Sequence, residues 1–231
     1  MVKAAIIGCG KIAQVRHIPE YLEHQAVKLV GFYDLNEKRA EELAEKYGGK
    51  AYGSVEELLA DPQIDAVSVC TANHTHAELT IKALKAGKHV LCEKPMAITL
   101  EECQRMVECA EENHRKLLIG QNQRLTRTHQ IARKLIADGE IGNVLSFQTS
   151  FQHSGPESGS VDAGKNTWFF QKKAAAMGVM GDLGIHKTDL IQYLLDDQIV
   201  EVTAEFSTLD KCYENGEKID VEDQALCIYH M

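Results

Sequence analysis

Three clusters of residues have the types and spacing to do chemistry. The first is Gly8-Cys9-Gly10-Lys11-Ile12-Ala13, a GxGxxA that follows an apolar run and opens a helical pattern. Glycines there permit a tight turn and bring backbone N–H groups against a pyrophosphate at a helix N-terminus. Asp34 closes the next apolar run, where a carboxylate accepts hydrogen bonds from both ribose hydroxyls of NAD and repels a 2′-phosphate. A plain α/β turn with a surface Asp is the bland alternative. Arg39 either stacks on an adenine or is a solvated helix residue, and Lys38 beside it keeps NADP in play.

The second cluster is Glu93-Lys94-Pro95, after the apolar run from His89 to Cys92. Ligands of open α/β sheets sit at the carboxyl ends of the strands. A lysine held there can donate to a substrate oxygen and stabilise a developing alkoxide; taken alone, a surface lysine is the better reading. The third is Asp182 with His186, four residues apart and so on one helix face. They read as a proton-transfer pair, as a helix cap beside a buried histidine, or as two metal ligands that lack a third. No metal is expected.

The surrounding elements explain how such groups would be placed. Up to about residue 120, short apolar runs (Ala4–Ile7, Val27–Tyr33, Asp65–Cys70, His89–Cys92, Leu117–Ile119) alternate with helical periods. The helices are expected at Ile12–His24, Glu37–Tyr47, Val55–Ala60, His76–Ala86 and Leu100–Asn113, with Thr99 and Glu102 as a capping box on the last. Strands without polar alternation, each followed by a helix, predict a doubly wound parallel sheet. Beyond Gly120 a helix at about Thr128–Asp138 and another over Asp182–Leu195 accompany alternating strands at Val144–Gln152, Val200–Ser207 and Ala225–Tyr229, with Ser154–Gly164 as loop. That pattern predicts an α+β domain with a mixed, largely antiparallel sheet. The expected domains are therefore 1–120 and 121–231. The last residue, Met231, falls inside the last apparent strand, so the sequence reads as incomplete or as having a partner over that sheet.

Composition narrows the function classes. The 231 residues carry 25 basic and 34 acidic side chains, a net charge of −9, which disfavours nucleic acid as a partner. No apolar run is long enough for a membrane span and the N-terminus is no signal peptide, so a cytoplasmic protein is expected. Seven cysteines without a CxxC pair predict reduced thiols. The stretch Gly159–Asn166 nearly spells a P-loop but lacks the final Ser/Thr, so it is set aside. Trp168 with Phe169 and Phe170 either walls a substrate or anchors its loop, with anchoring favoured.

Taken in order, GxGxxA, the acidic end of strand two, Thr71-Ala72-Asn73-His74-Thr75-His76, GKHVLCEKP and DxGxHxxD resemble the Gfo/Idh/MocA family of oxidoreductases, over essentially the whole chain. The resemblance implies a Rossmann domain followed by a substrate domain, assembled through its sheet into dimers or tetramers. It implies Lys94, Asp182 and His186 as the catalytic set. It places Gly8, Gly10, Lys11, Ile12, Ala13, Asp34, Arg39, Thr71, Asn73, His76, Glu93 and Lys94 along the cofactor. Arg124 matches a substrate-reaching position, and His153 and Trp168 are added as weaker substrate candidates. A cis Lys94–Pro95 bond is implied as well. The implied activity is hydride transfer between NAD, or NADP, and a secondary alcohol of a sugar, cyclitol or polyol. A non-catalytic NAD(P)-binding regulator and an enzyme that retains NAD for transient use are the alternatives. Two departures stand out: Ala72 replaces the family's proline, which should loosen that turn, and the run before Asp182 has lost two glycines.

Overall fold

The computed structural model describes all residues, 1–231. The chain divides into two units, residues 1–120 with 156–164, and residues 121–155 with 165–231. The sequence assigns 156–164 to a loop of the second domain, whereas its contacts group it with the first unit.

In the first unit the elements alternate as β1 (Val2–Ile7), α1 (Ile18–Glu23), β2 (Val27–Tyr33), α2 (Glu37–Tyr47), β3 (Lys50–Ala51), α3 (Val55–Ala60), β4 (Ala66–Val69), α4 (His76–Lys85), β5 (His89–Cys92), α5 (Leu100–Glu112) and β6 (Leu117–Ile119). All pairings are parallel, in the order β3-β2-β1-β4-β5-β6. This is the doubly wound order, with its reversal between β1 and β4. Side chains alternate across a strand, and both faces here are apolar: Ala5 and Ile7 join Val67, Val69 and Val90 in one core, while Ile6 joins Leu29 and Phe32 in the other. β3 escapes sequence reading because two residues carry no periodicity.

The helix starts follow capping chemistry. Asn36 accepts from Arg39 N–H at 3.2 Å, Ser54 from Glu57 N–H at 3.0 Å and Thr99 from Glu102 N–H at 3.1 Å. The return half of the expected capping box goes elsewhere, since Glu102 accepts from Ile98 N–H at 3.2 Å. The first helix is not uniform; a π turn over Ala13–His17 precedes α1.

The second unit holds α6 (Arg127–Ala137) and, after the 156–164 strap with its short α7 (Pro156–Gly159), α8 (Lys172–Ala175), α9 (Ile185–Leu195), β7 (Glu201–Ser207) and β8 (Gln224–His230). A π turn over Met180–Gly184 leads into α9. β7 and β8 form an antiparallel pair, Glu201 opposite His230 through Ser207 opposite Gln224. The strand expected at Val144–Gln152 does not form: the segment alternates correctly but has no strand paired to it, and alternation without a partner ladder leaves extended chain. Phe170, Ile219 and Val221 make a small core of their own. No helix is long and apolar enough to cross a membrane. All seven cysteines are unpaired, and burial pushes the Cys9 and Cys92 thiols up to about 12.

Candidate functional site

In the first unit, the loop after β1 lies at the topological switch point. Gly8 has φ of 92°, and an added Cβ would lie 2.7 Å from the Cys70 carbonyl oxygen at the end of β4, so only glycine fits. An added Cβ at Gly10 would meet no atom within 4 Å, which leaves its peptide approachable. Ala13 is fully buried, as close packing of helix on sheet requires, while Lys11 is exposed and Ile12 half-buried. Asp34 is 9% exposed; one carboxylate oxygen accepts from Cys9 N–H at 2.7 Å and the other from Asn36 N–H at 2.8 Å. The carboxylate thus braces the glycine loop and stays at the end of β2. An approachable glycine peptide, a glycine with no room for a side chain and an acidic group beside them fit the pyrophosphate and ribose of a dinucleotide. The Arg39 guanidinium lies 3.3 Å from Asp34 and pairs with Asp162 of the strap. Sequence reading passed over Asp162 because the near P-loop that contains it was set aside.

After β4, Thr71 Oγ1 bonds Thr75 Oγ1 at 2.6 Å, and Asn73 is buried. Ala72 holds φ −70° and ψ 148°, the conformation proline itself prefers, so the turn keeps its shape without the ring. His76, expected along the cofactor, is buried at the start of α4. It is 1% exposed, and its ring nitrogens lie 2.7 Å from the Pro95 carbonyl and 3.0 Å from that of Thr71. Burial lowers its pKa, against the two carbonyls that favour the charged ring, and a neutral ring donates to only one of them. The side chain therefore ties two loops together from inside.

The Lys94–Pro95 bond is cis. Beneath it runs a buried chain that the sequence did not disclose. Tyr21 Oη lies 2.6 Å from Ser68 Oγ, Ser68 Oγ lies 3.1 Å from His17 Nδ1, and His17 Nε2 lies 2.8 Å from Glu93 Oε1. Glu93 Oε2 also accepts from Lys94 N–H at 3.2 Å. Burial on its own would raise the Glu93 carboxyl; the His17 imidazole and the Lys94 amide and charge outweigh it and hold the group below the ordinary range. The only sequence signal was His17 within an otherwise amphipathic helix start.

In the second unit, His153 Nδ1 accepts from Gly155 N–H at 2.8 Å, which leaves Nε2–H to face Asp182 Oδ2 at 3.3 Å. Asp182 sits in the π turn, and His186, 8% exposed, lies in the first turn of α9 with the Phe151 ring 6.0 Å away. Arg124, expected at a substrate-reaching position, grips Asp189 with two nitrogens, Nε at 2.6 Å, and joins the turn at Asn122–Leu125 to α9. Its partner is the last residue of the DxGxHxxD motif. Trp168 stacks on Phe169 at 3.8 Å, while anchoring falls to Phe170, which is 4% exposed. Gly178 replaces no lost function: an added Cβ would lie 1.9 Å from the Glu222 carbonyl, so this glycine of the thinned run is still required. Ala176 takes φ 67° and ψ −46°, a conformation suited to glycine.

Comparison with known proteins gives the same picture from another direction. Residues 2–121 match the model for the oxidoreductase family with an NAD-binding Rossmann fold, and residues 129–231 match the GFO/IDH/MocA C-terminal domain. The chain is 35% identical over 228 residues to glucose-6-phosphate 3-dehydrogenase of Bacillus subtilis, covering 97% of this chain and 63% of that protein. It is 30% identical over 209 residues to myo-inositol 2-dehydrogenase of Thermotoga maritima, covering 90% of this chain and 59% of the relative. Among solved structures, GenD2 from gentamicin A biosynthesis, in complex with NAD, superposes with a TM-score of 0.89 at 29% identity, over 99% of this chain and 62% of that one. The chain thus spans less than two thirds of the length of these relatives.

Proposed function

The chain belongs to the Gfo/Idh/MocA family of NAD-binding oxidoreductases, and from that premise we propose that it transfers hydride between NAD and a secondary alcohol of a sugar, cyclitol or related polyol. The observation that carries this reading is the switch-point loop, with Gly8, an approachable Gly10 peptide and Asp34 in dinucleotide-binding array, in a chain 35% identical to a sugar-phosphate dehydrogenase. Bound nicotinamide supplies the hydride acceptor. His186 takes the proton of the substrate hydroxyl on a ring nitrogen as the carbon loses hydride and the carbonyl forms. Asp182, oriented by His153, aligns that hydroxyl, and Lys94 donates to the same oxygen. Glu93 fixes the backbone from which Lys94 projects. Thr71 and Asn73 line the cofactor, and Trp168 contributes to the substrate wall.

In this reading residues 1–120 serve the cofactor, and 121–231 serve substrate and assembly. The exposed Leu226 and Ile228 on one face of the β7–β8 pair support a dimer or tetramer built through that sheet, and the cytoplasm is the proposed place of action. Lys94→Ala or His186→Ala should abolish turnover and leave the NAD Kd within a few-fold. Near-normal kcat in both variants sinks the assignment.

A further inference from the structure

We propose that Asp162 sets cofactor choice, selecting NAD against NADP by holding Arg39. The inference rests on the dinucleotide reading of the first unit. Arg39 stands in the first turn of α2, and its side chain is 16% exposed. It is the guanidinium nearest the carboxylate that meets the adenosine ribose, hence the group placed to receive a 2′-phosphate. Its nitrogens, however, are divided between Asp34 Oδ1 at 3.3 Å and the Asp162 carboxylate. One positive charge between two negative ones leaves this corner net negative. Ribose hydroxyls, which donate, suit such a corner; a phosphate, which only accepts at neutral pH and is doubly charged, does not.

The Asp162 side chain is 72% exposed, but the strap that carries it is held by its own hydrogen bonds. Its strap is closed on itself by Ser160 N–H to the Pro156 carbonyl at 3.1 Å, Gly164 N–H to the Glu157 carbonyl at 2.9 Å and Ser160 Oγ to the Asp162 carbonyl at 2.9 Å. Residues 156–164 group with the first unit, and the Asp162–Arg39 pair brings the strap beside Asp34, the corner read as meeting the adenosine ribose. The other nearby cation does not replace Arg39: Lys38 is 83% exposed and lies 3.7 Å from Glu42 on the same helix.

The test is to titrate the 231-residue chain with NADH and, separately, NADPH, following nucleotide fluorescence, for the wild type, Asp162→Asn and Asp162→Asn with Arg39→Met. Wild type should bind NADH more tightly. Asp162→Asn should lower the ratio of NADPH to NADH Kd about tenfold, the scale of one charge-assisted hydrogen bond gained by the phosphate. With Arg39 replaced, the Asp162 change should move the ratio less than about twofold. An unchanged ratio in Asp162→Asn overturns the proposal, as does a tenfold change that persists without Arg39. A wild type that binds neither nucleotide overturns the dinucleotide reading and this inference with it.

Discussion

Replacing His17 with phenylalanine tests whether the buried chain beneath Lys94 has the energetic role its geometry gives it. His17 is 7% and Glu93 8% exposed, so water cannot replace the lost donor at Glu93 Oε1. Phenylalanine roughly conserves volume, so the cavity contribution is small and the cost is electrostatic. A hydrogen bond to a charged group contributes about 1.5–3 kcal/mol, and removing one member of a buried pair costs about 3–5 kcal/mol. A loss of about 3 kcal/mol is expected, or roughly 6–12 °C in Tm for a domain of this size. The pH dependence is more diagnostic. In wild type the depressed Glu93 pKa adds stability that is present above the ordinary carboxylate range and lost as pH falls through the folded value. Without His17, its hydrogen bond and charge no longer offset burial, so the folded pKa moves up and Glu93 adds less stability above the carboxylate range. The Tm gap between the proteins, followed by circular dichroism, should therefore widen from pH of about 4.5 to about 7.5. His17→Gln, which keeps a donor, should recover part of the loss. A Tm within about 2 °C of wild type, or a gap independent of pH, refutes the reasoning.

Three further outcomes follow from single contacts. Ala176→Gly should raise stability by about 1 kcal/mol in thermal unfolding, because relief of a positive-φ alanine exceeds the added freedom of the unfolded chain. Gly120→Ala should lower stability by about 1–2 kcal/mol, since the new Cβ would lie 3.0 Å from the Glu93 carboxylate and push it off His17; the same melt in a His17→Phe background should show a smaller loss. Arg124→Ala and Asp189→Asn should each lower Tm by a few degrees and to a similar extent, as two ends of one clamp; a raised substrate KM with unchanged Tm in Arg124→Ala alone would instead return Arg124 to the substrate.

The parallel sheet was legible because its determinants are local and repeated: apolar strands, capped helices and glycine stops at regular intervals. β3 was missed since two residues hold no pattern, and the strand at Val144–Gln152 was over-read since alternation specifies a face but not a partner. The site divides the same way. Gly8, Gly10 and Asp34 form one motif with fixed spacing, so they could be read in place. The links from Tyr21 to Ser68, Ser68 to His17 and His17 to Glu93 span 47, 51 and 76 positions, and Asp162 reaches Arg39 across 123, distances over which a single sequence carries no pairing signal. His76 and Arg124 have partners that their motifs do not announce, a loop carbonyl for one and Asp189 for the other.

The most direct measurement is NADH formation from NAD by the chain against a panel of sugars, sugar phosphates and inositols, with Lys94→Ala and His186→Ala run alongside and NAD binding measured for all three. The account predicts turnover on at least one secondary alcohol, lost in both variants while NAD remains bound. Turnover that survives both substitutions, or NAD binding by wild type with no reduction on any member of the panel, would contradict it.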